Sequence, residues 1–189
     1  MPTALPNPLN RTGKGPILDF LTTLFDRHPR RVFDLIVATC VVLLGYGMYL
    51  QHVVGLEPCP MCVVQRYAFI LIAACALFSR LGARKGLHIG GATLLLLLAG
   101  FGAFVAARQS WLQWYPPEIA SCGRDIYGMI ETFPLQRAIP MIFKGSGDCT
   151  KVDWTFLGGS IANWSFLCFL GLAVVALVLI WRQATVRAR

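Results

Sequence analysis

Cys59 and Cys62 stand at Cys-x-x-Cys spacing in the run "EPCPMCVVQR", and Arg66 follows Cys62 by one helical turn. Two thiols at this spacing can close a disulfide or share a lowered pKa, which makes them candidates for redox exchange. Pro58 and Pro60 suit the approach to a helix rather than its interior, and Pro60 is tolerated in a first turn where its missing N–H is not needed. The pair is therefore expected at a helix N-terminus, where unsatisfied N–H groups and the positive end of the helix dipole favour a thiolate. Arg66 would lie on the same face, one turn deeper. A guanidinium at a membrane edge is costly unless it has a partner or reaches the headgroups. It could donate hydrogen bonds to a carbonyl oxygen of a lipid-soluble cofactor and stabilise negative charge developing there. Anchoring to phosphate headgroups is the plainer role, and the cysteine one turn away favours the chemical one.

Two inert readings of Cys59 and Cys62 compete with redox activity. A zinc site would want two more Cys or His ligands at short spacing, and only His52 is near, with no second knuckle. A purely structural disulfide is the other. Of the seven cysteines, Cys40, Cys75 and Cys168 sit within apolar stretches, where a cysteine behaves as a small hydrophobe.

The elements that must position these residues are set by hydropathy. The chain has 189 residues, 56% hydrophobic and 14% charged, far more apolar than a soluble domain. Crossing the hydrocarbon takes about 20 mostly apolar residues, and four segments qualify, near 32–50, 62–81, 87–107 and 161–181. The expected fold is an all-α membrane protein, a four-helix transmembrane bundle forming one domain over 1–189. The N-terminal stretch to Pro16 is polar and proline-rich, and no small-residue cleavage site follows the first apolar run, so that run reads as an uncleaved span. Between them, Ile17, Leu18, Leu21, Leu24 and Phe25 recur at helical spacing, as in a short helix lying among headgroups or in a solvated linker.

Eleven of the seventeen Lys and Arg fall in the tails and the loop between spans two and three, while six of the nine acidic residues fall on the other side. The positive-inside rule therefore puts both termini in the cytoplasm. The net charge of +8 is thereby accounted for, and no basic patch interleaved with exposed aromatics suggests nucleic acid. Loops near 51–61 and 108–160 then face the outer compartment, carrying Cys59, Cys62, Cys122 and Cys149.

The long loop is bracketed by Trp111, Trp114, Tyr115, Trp154 and Trp164, an interfacial aromatic belt in contact with membrane lipid. Its middle, 126–143, is apolar but broken by prolines, as expected of a segment lying on the membrane. Cys122 and Cys149 lie 27 residues apart, and in an oxidising compartment a disulfide between them is the default expectation. Spacing leaves open whether that bond is structural or exchanges, and Gly145 and Gly147 lean toward exchange.

The runs "CPMCVVQR", "YPPEIASC" and "GSGDCTKVDWTFLGGSIANWS", together with the four-span layout, resemble the disulfide bond formation protein B (DsbB) family. The resemblance covers roughly 32–181. It implies a bacterial inner-membrane enzyme that reoxidises a DsbA-like periplasmic thiol oxidase and passes the electrons to a quinone, ubiquinone or menaquinone. It implies that Cys122 and Cys149 form the disulfide presented to the partner, with Cys122 in the mixed disulfide. Cys59 then exchanges with Cys149, while Cys62 faces the quinone, assisted by Arg66. Where many members carry a histidine, this chain has Gln109. An amide can donate a hydrogen bond to a quinone oxygen but cannot carry a proton as imidazole does.

Other classes fit less well. Vitamin K epoxide reductase relatives combine similar parts, but their loop pair precedes the Cys-x-x-Cys, and here it follows. A metal-binding transporter or sensor would be expected to show more outer histidines and acidic residues within its spans. A structural membrane protein with two inert disulfides is the third alternative.

Overall fold

The computed structural model describes residues 29–82, 85–116, 150, 152 and 154–187. Four helices dominate: α1 Pro29–His52, α2 Pro60–Leu81, α3 Lys85–Trp114 and α4 Ile161–Arg187. All four are long and apolar enough to cross a membrane. A two-stranded antiparallel hairpin, β1 Thr155–Phe156 and β2 Gly159–Ser160, leads into α4. Its turn is made by Leu157 and Gly158, at φ 50° and 79°, the left-handed pair that a two-residue hairpin of matching twist requires. The interfacial helix expected near 17–25, and both Cys122 and Cys149, lie outside the described residues.

Packing follows chain order. α1 packs on α2, α2 on α3, and α3 most extensively on α4. The shared core takes Phe33, Ile36 and Cys40 from α1, Ala68, Phe69, Ile72 and Ala76 from α2, Ala92, Leu95, Ala99 and Ala106 from α3, and Phe169, Leu172, Ala176 and Leu179 from α4. The many alanines fit helices associating in lipid, where association depends on close backbone approach and van der Waals packing rather than on escape from water. Leucines, valines and aromatics such as Val42, Phe78, Leu97 and Trp181 remain on the outside, the arrangement that a hydrocarbon solvent favours.

Two helices differ from the sequence expectation in a way that matters for the site. α2 begins at Pro60, so Cys59 is its N-cap residue. α3 runs past Ala107 to Trp114, where the sequence reading begins a loop at Arg108. The continuation is explained by an inward stripe: Val105, Gln109 and Leu112 recur at helical spacing and all three are buried. Gln109 and Gln113 are thereby helical.

α1 and α4 scarcely touch one another among the described residues. Below the gap the bundle is closed by Phe69 of α2 and Phe169 of α4, stacked with ring centroids 4.1 Å apart and an interplanar angle of 11°. Gly102 of α3 makes room for that stack: a Cβ there would come within 2.4–2.6 Å of the Phe169 ring. Phe169 is fully buried and has no open space to swing into. Gly102→Ala is therefore expected to destabilise the bundle by about 1–3 kcal/mol, read as a lowered Tm in detergent. Ala introduced at Gly100, whose Cβ direction is open, should leave Tm unchanged or raise it slightly.

Candidate functional site

The site begins with how α2 starts. Cys59 sits at φ −66°, ψ 160°, the extended conformation of an N-cap, and its sulfur accepts a hydrogen bond from the backbone N–H of Cys62 at 3.3 Å. A thiol sulfur thus does what a Ser or Asp oxygen usually does at this position, occupying one of the orphan donors of the first turn. Pro60 has no N–H to leave unsatisfied there. The Cys59 carbonyl accepts from the Val63 N–H at 3.1 Å, which starts the helical ladder. This geometry brings the two Sγ atoms to 2.8 Å from each other. Cys59 is buried and Cys62 half-buried.

A pair of glutamines backs the sulfurs. The Gln109 amide nitrogen donates to Cys59 Sγ at 3.3 Å and to Cys62 Sγ at 3.2 Å. Its Oε1 accepts from Gln65 Nε2 at 2.7 Å. Both side chains are buried, at 4% exposure for Gln65 and 3% for Gln109, where an unpaired amide would cost about 1–3 kcal/mol. The sequence reading assigned Gln109 to a quinone oxygen and gave Gln65 no role. In the structure the Gln109 amide is directed at sulfur. The sequence signal for Gln65 was its position three residues after Cys62, one turn along the helix and turned toward α3.

Arg66 projects the other way, toward α1. Its guanidinium donates to Gln51 Oε1 and, at 3.1 Å, to the Gly47 carbonyl, with Met48 Sδ at 3.9 Å. These acceptors are neutral. Among the described residues Arg66 makes no ion pair, whereas Arg80 at the far end of α2 bonds Asp34 at 2.8 Å. The guanidinium is thus oriented by neutral acceptors and not tied up in a direct ion pair, which leaves it able to stabilise a new negative charge nearby, with Glu57 lining the same cavity.

Arg66 and Cys62 meet at a cavity of about 340 Å³ in the gap between α1 and α4, within the size range of small-molecule sites. Leu43, Leu44, Leu50 and Phe69 form much of its apolar wall, and Trp154, Phe156 and Trp164 close its outer rim. The rim is held by the hairpin: Trp164 Nε1 donates to the Phe156 carbonyl at 3.0 Å, and Trp154 stacks on Phe156 with centroids 6.0 Å apart. A second cavity, of about 50 Å³, adjoins the first, sharing Glu57, Cys62 and Trp154 with it, and is lined also by Cys59, Gln109, Gln113 and Ser160. Cys62 borders both spaces, Cys59 the small one, Arg66 the large one. A mainly apolar slot on which one cation, one thiol and a few polar groups, Glu57, Gln51 and Gln65, converge fits a planar, lipid-soluble molecule carrying carbonyl oxygens. Among the described residues no group of three or more His, Cys, Asp and Glu could hold a metal ion.

Most of the chain is similar to known proteins. The family model described as Disulfide bond formation protein DsbB matches residues 29–179. A Polaromonas protein named Disulfide bond formation protein B is 70% identical over 165 residues, covering 87% of this chain and 98% of that protein. One of the same name from Albidiferax ferrireducens is 65% identical over 167 residues, covering 88% and 96%. One from an Azoarcus species is 52% identical over 158 residues, covering 82% and 94%.

The two cavities predict unequal reactivity of the reduced pair. An apolar maleimide added to the protein in membranes should label Cys62 faster than Cys59, because Cys62 opens to the larger space and Cys59 is only 7% exposed. Peptide mass spectrometry of a labelling time course measures the ratio. Equal rates, or faster labelling of Cys59, would contradict the cavity arrangement.

Proposed function

The chain belongs to the disulfide bond formation protein DsbB family, and on that premise we propose how its residues divide the reaction. As a family member it is a dithiol:quinone oxidoreductase. It oxidises a DsbA-like dithiol oxidase by thiol–disulfide exchange and passes the electrons to a membrane quinone. The observation that carries the assignment of residues is the convergence of Cys62 and Arg66 on the apolar cavity between α1 and α4.

In the proposed sequence the reduced partner attacks the Cys122–Cys149 disulfide, Cys122 forms the mixed disulfide, and the partner leaves oxidised. The thiolate of Cys149 then attacks Cys59, breaking the Cys59–Cys62 bond and releasing Cys62 as a thiolate. Attack of Cys122 on Cys149 restores the loop disulfide and leaves Cys59 and Cys62 reduced. Two electrons and two protons then leave this pair as its disulfide reforms. A membrane quinone supplies the matching acceptor of two electrons and two protons. Arg66, held by Gln51 and the Gly47 carbonyl, orients a carbonyl oxygen of that acceptor and stabilises the charge that develops on it. Trp154, Phe156 and Trp164 would flank a quinone ring held there, and the gap between α1 and α4 would give its isoprenoid tail a way into lipid.

A DsbA-like partner is a strong oxidant, at about −120 mV, so drawing electrons from its reduced form needs a strong terminal acceptor. We take this to be ubiquinone, the stronger oxidant of the two common membrane quinones, with menaquinone as the alternative. The distribution of basic residues supports an inner-membrane protein whose tails and α2–α3 loop are cytoplasmic and whose active cysteines face the periplasm.

Purified protein should catalyse oxidation of a reduced periplasmic dithiol protein in the presence of added ubiquinone. Cys62→Ser is expected to reduce turnover to background, and full activity in that variant would sink the mechanism. Arg66→Ala should raise the apparent KM for quinone about tenfold or more, the loss expected for charge-assisted hydrogen bonds, with both disulfides still forming. An unchanged quinone dependence would return Arg66 to headgroup anchoring.

A further inference from the structure

We propose that Gln65 is a positioning residue for the redox pair: by fixing the orientation of the Gln109 amide, it holds two hydrogen-bond donors on the sulfurs of Cys59 and Cys62. The inference rests on the reading of Cys62 as the thiolate that faces the electron acceptor, and it adds no redox step to the reaction.

The argument is one of donors and acceptors. A glutamine side chain has one acceptor oxygen and one NH₂ group with two donors. In Gln109 each end has a distinct neighbour: Oε1 takes the 2.7 Å bond from Gln65 Nε2, and the nitrogen reaches the two sulfurs at 3.3 and 3.2 Å. Turning the Gln109 amide over would set two NH₂ groups against each other and aim oxygen lone pairs at sulfur. Both glutamines are buried, so such a mismatch would be costly. The backbone of Gln65 is placed with the helix start, on the first turns of α2 between Cys62 and Arg66.

Fixed N–H donors favour whichever form of a sulfur accepts hydrogen bonds best, and that is the thiolate. A histidine in the place of Gln109 could add a positive charge, but only while protonated. The amide pair carries no proton of its own to lose, so its support for the thiolate stays constant across the pH range in which an imidazole titrates. The charged groups that border the cavities at Cys62 among the described residues are Arg66 and Glu57. Gln65 and Gln109 are thus a neutral part of the electrostatic setting, with the Gln109 amide the one aimed at both sulfurs.

The test is the rate of alkylation of Cys62 against pH, in the reduced full-length protein in detergent without quinone, read by site-resolved mass spectrometry. Gln65→Met keeps the length and apolar volume of the side chain but donates nothing. It should lower the Cys62 rate at neutral pH about tenfold, the effect of one misdirected hydrogen bond, and move the rate profile to higher pH. Gln65→Glu, of the same size, can only accept when ionised and should produce the same direction of change. Gln109→Met should lower the rate at least as far, and the double variant Gln65→Met, Gln109→Met should lower it no further than Gln109→Met alone. A profile unmoved by either Gln65 substitution, or effects of the two methionines that multiply in the double variant, would overturn the proposal. Turnover of Cys62→Ser is scored separately: activity there would overturn the role given to Cys62, whereas an unmoved profile overturns only the role given to Gln65.

Discussion

The hydrogen bond from the Cys62 N–H to the Cys59 sulfur fixes where everything else at the site must be. It makes the redox pair part of the helix start itself, so the sulfurs inherit the position and axis of α2. From that start, residues three and four positions after Cys62 diverge around the helix, Gln65 toward α3 and Arg66 toward α1. One turn of backbone therefore delivers a neutral donor relay to one side of the sulfurs and a cation to the other. Moving the helix start by a single residue would rotate both away, by about 100° for 3.6 residues per turn.

The gap between α1 and α4 depends on what closes the bundle beneath it. α3 serves as the common packing surface, and its Gly102 lets Phe169 lie flat on Phe69. That stack seals the bundle while leaving the outer part of α1 and α4 apart, which is where the apolar cavity lies. Arg66 then borders a space whose walls offer little competing polarity. Its orientation comes from a carbonyl of α1 and from Gln51 rather than from an acid, so its charge is directed without being cancelled.

The sequence made much of this legible, for identifiable reasons. Apolar length marked all four helices, and proline placement marked the start of α2, because a residue lacking an N–H has few comfortable positions in a helix. The spacing of Cys62 and Arg66 put them on one face, and both border one cavity. What the sequence reading lost was the last turns of α3. Gln109, Gln113 and flanking tryptophans look like a polar, interfacial loop, and only burial against α2 shows that Gln109 belongs to an inward stripe. Gln65 was passed over for a related reason: a glutamine beside an arginine reads as a solvated pair until the second glutamine, 44 residues on, is brought against it. The hairpin was hidden because Leu157 adopts a positive φ usually left to glycine or asparagine.

Cys62 borders the apolar space together with Arg66, and the small polar one together with Cys59 and Gln109. Cys62 is therefore the sulfur common to both spaces, while Cys59 lines the smaller one alone. Electrons brought to Cys59 from the smaller space would reach the larger one by way of Cys62, so the bond between the two sulfurs is the junction at which a soluble reductant and a lipid-borne oxidant are coupled.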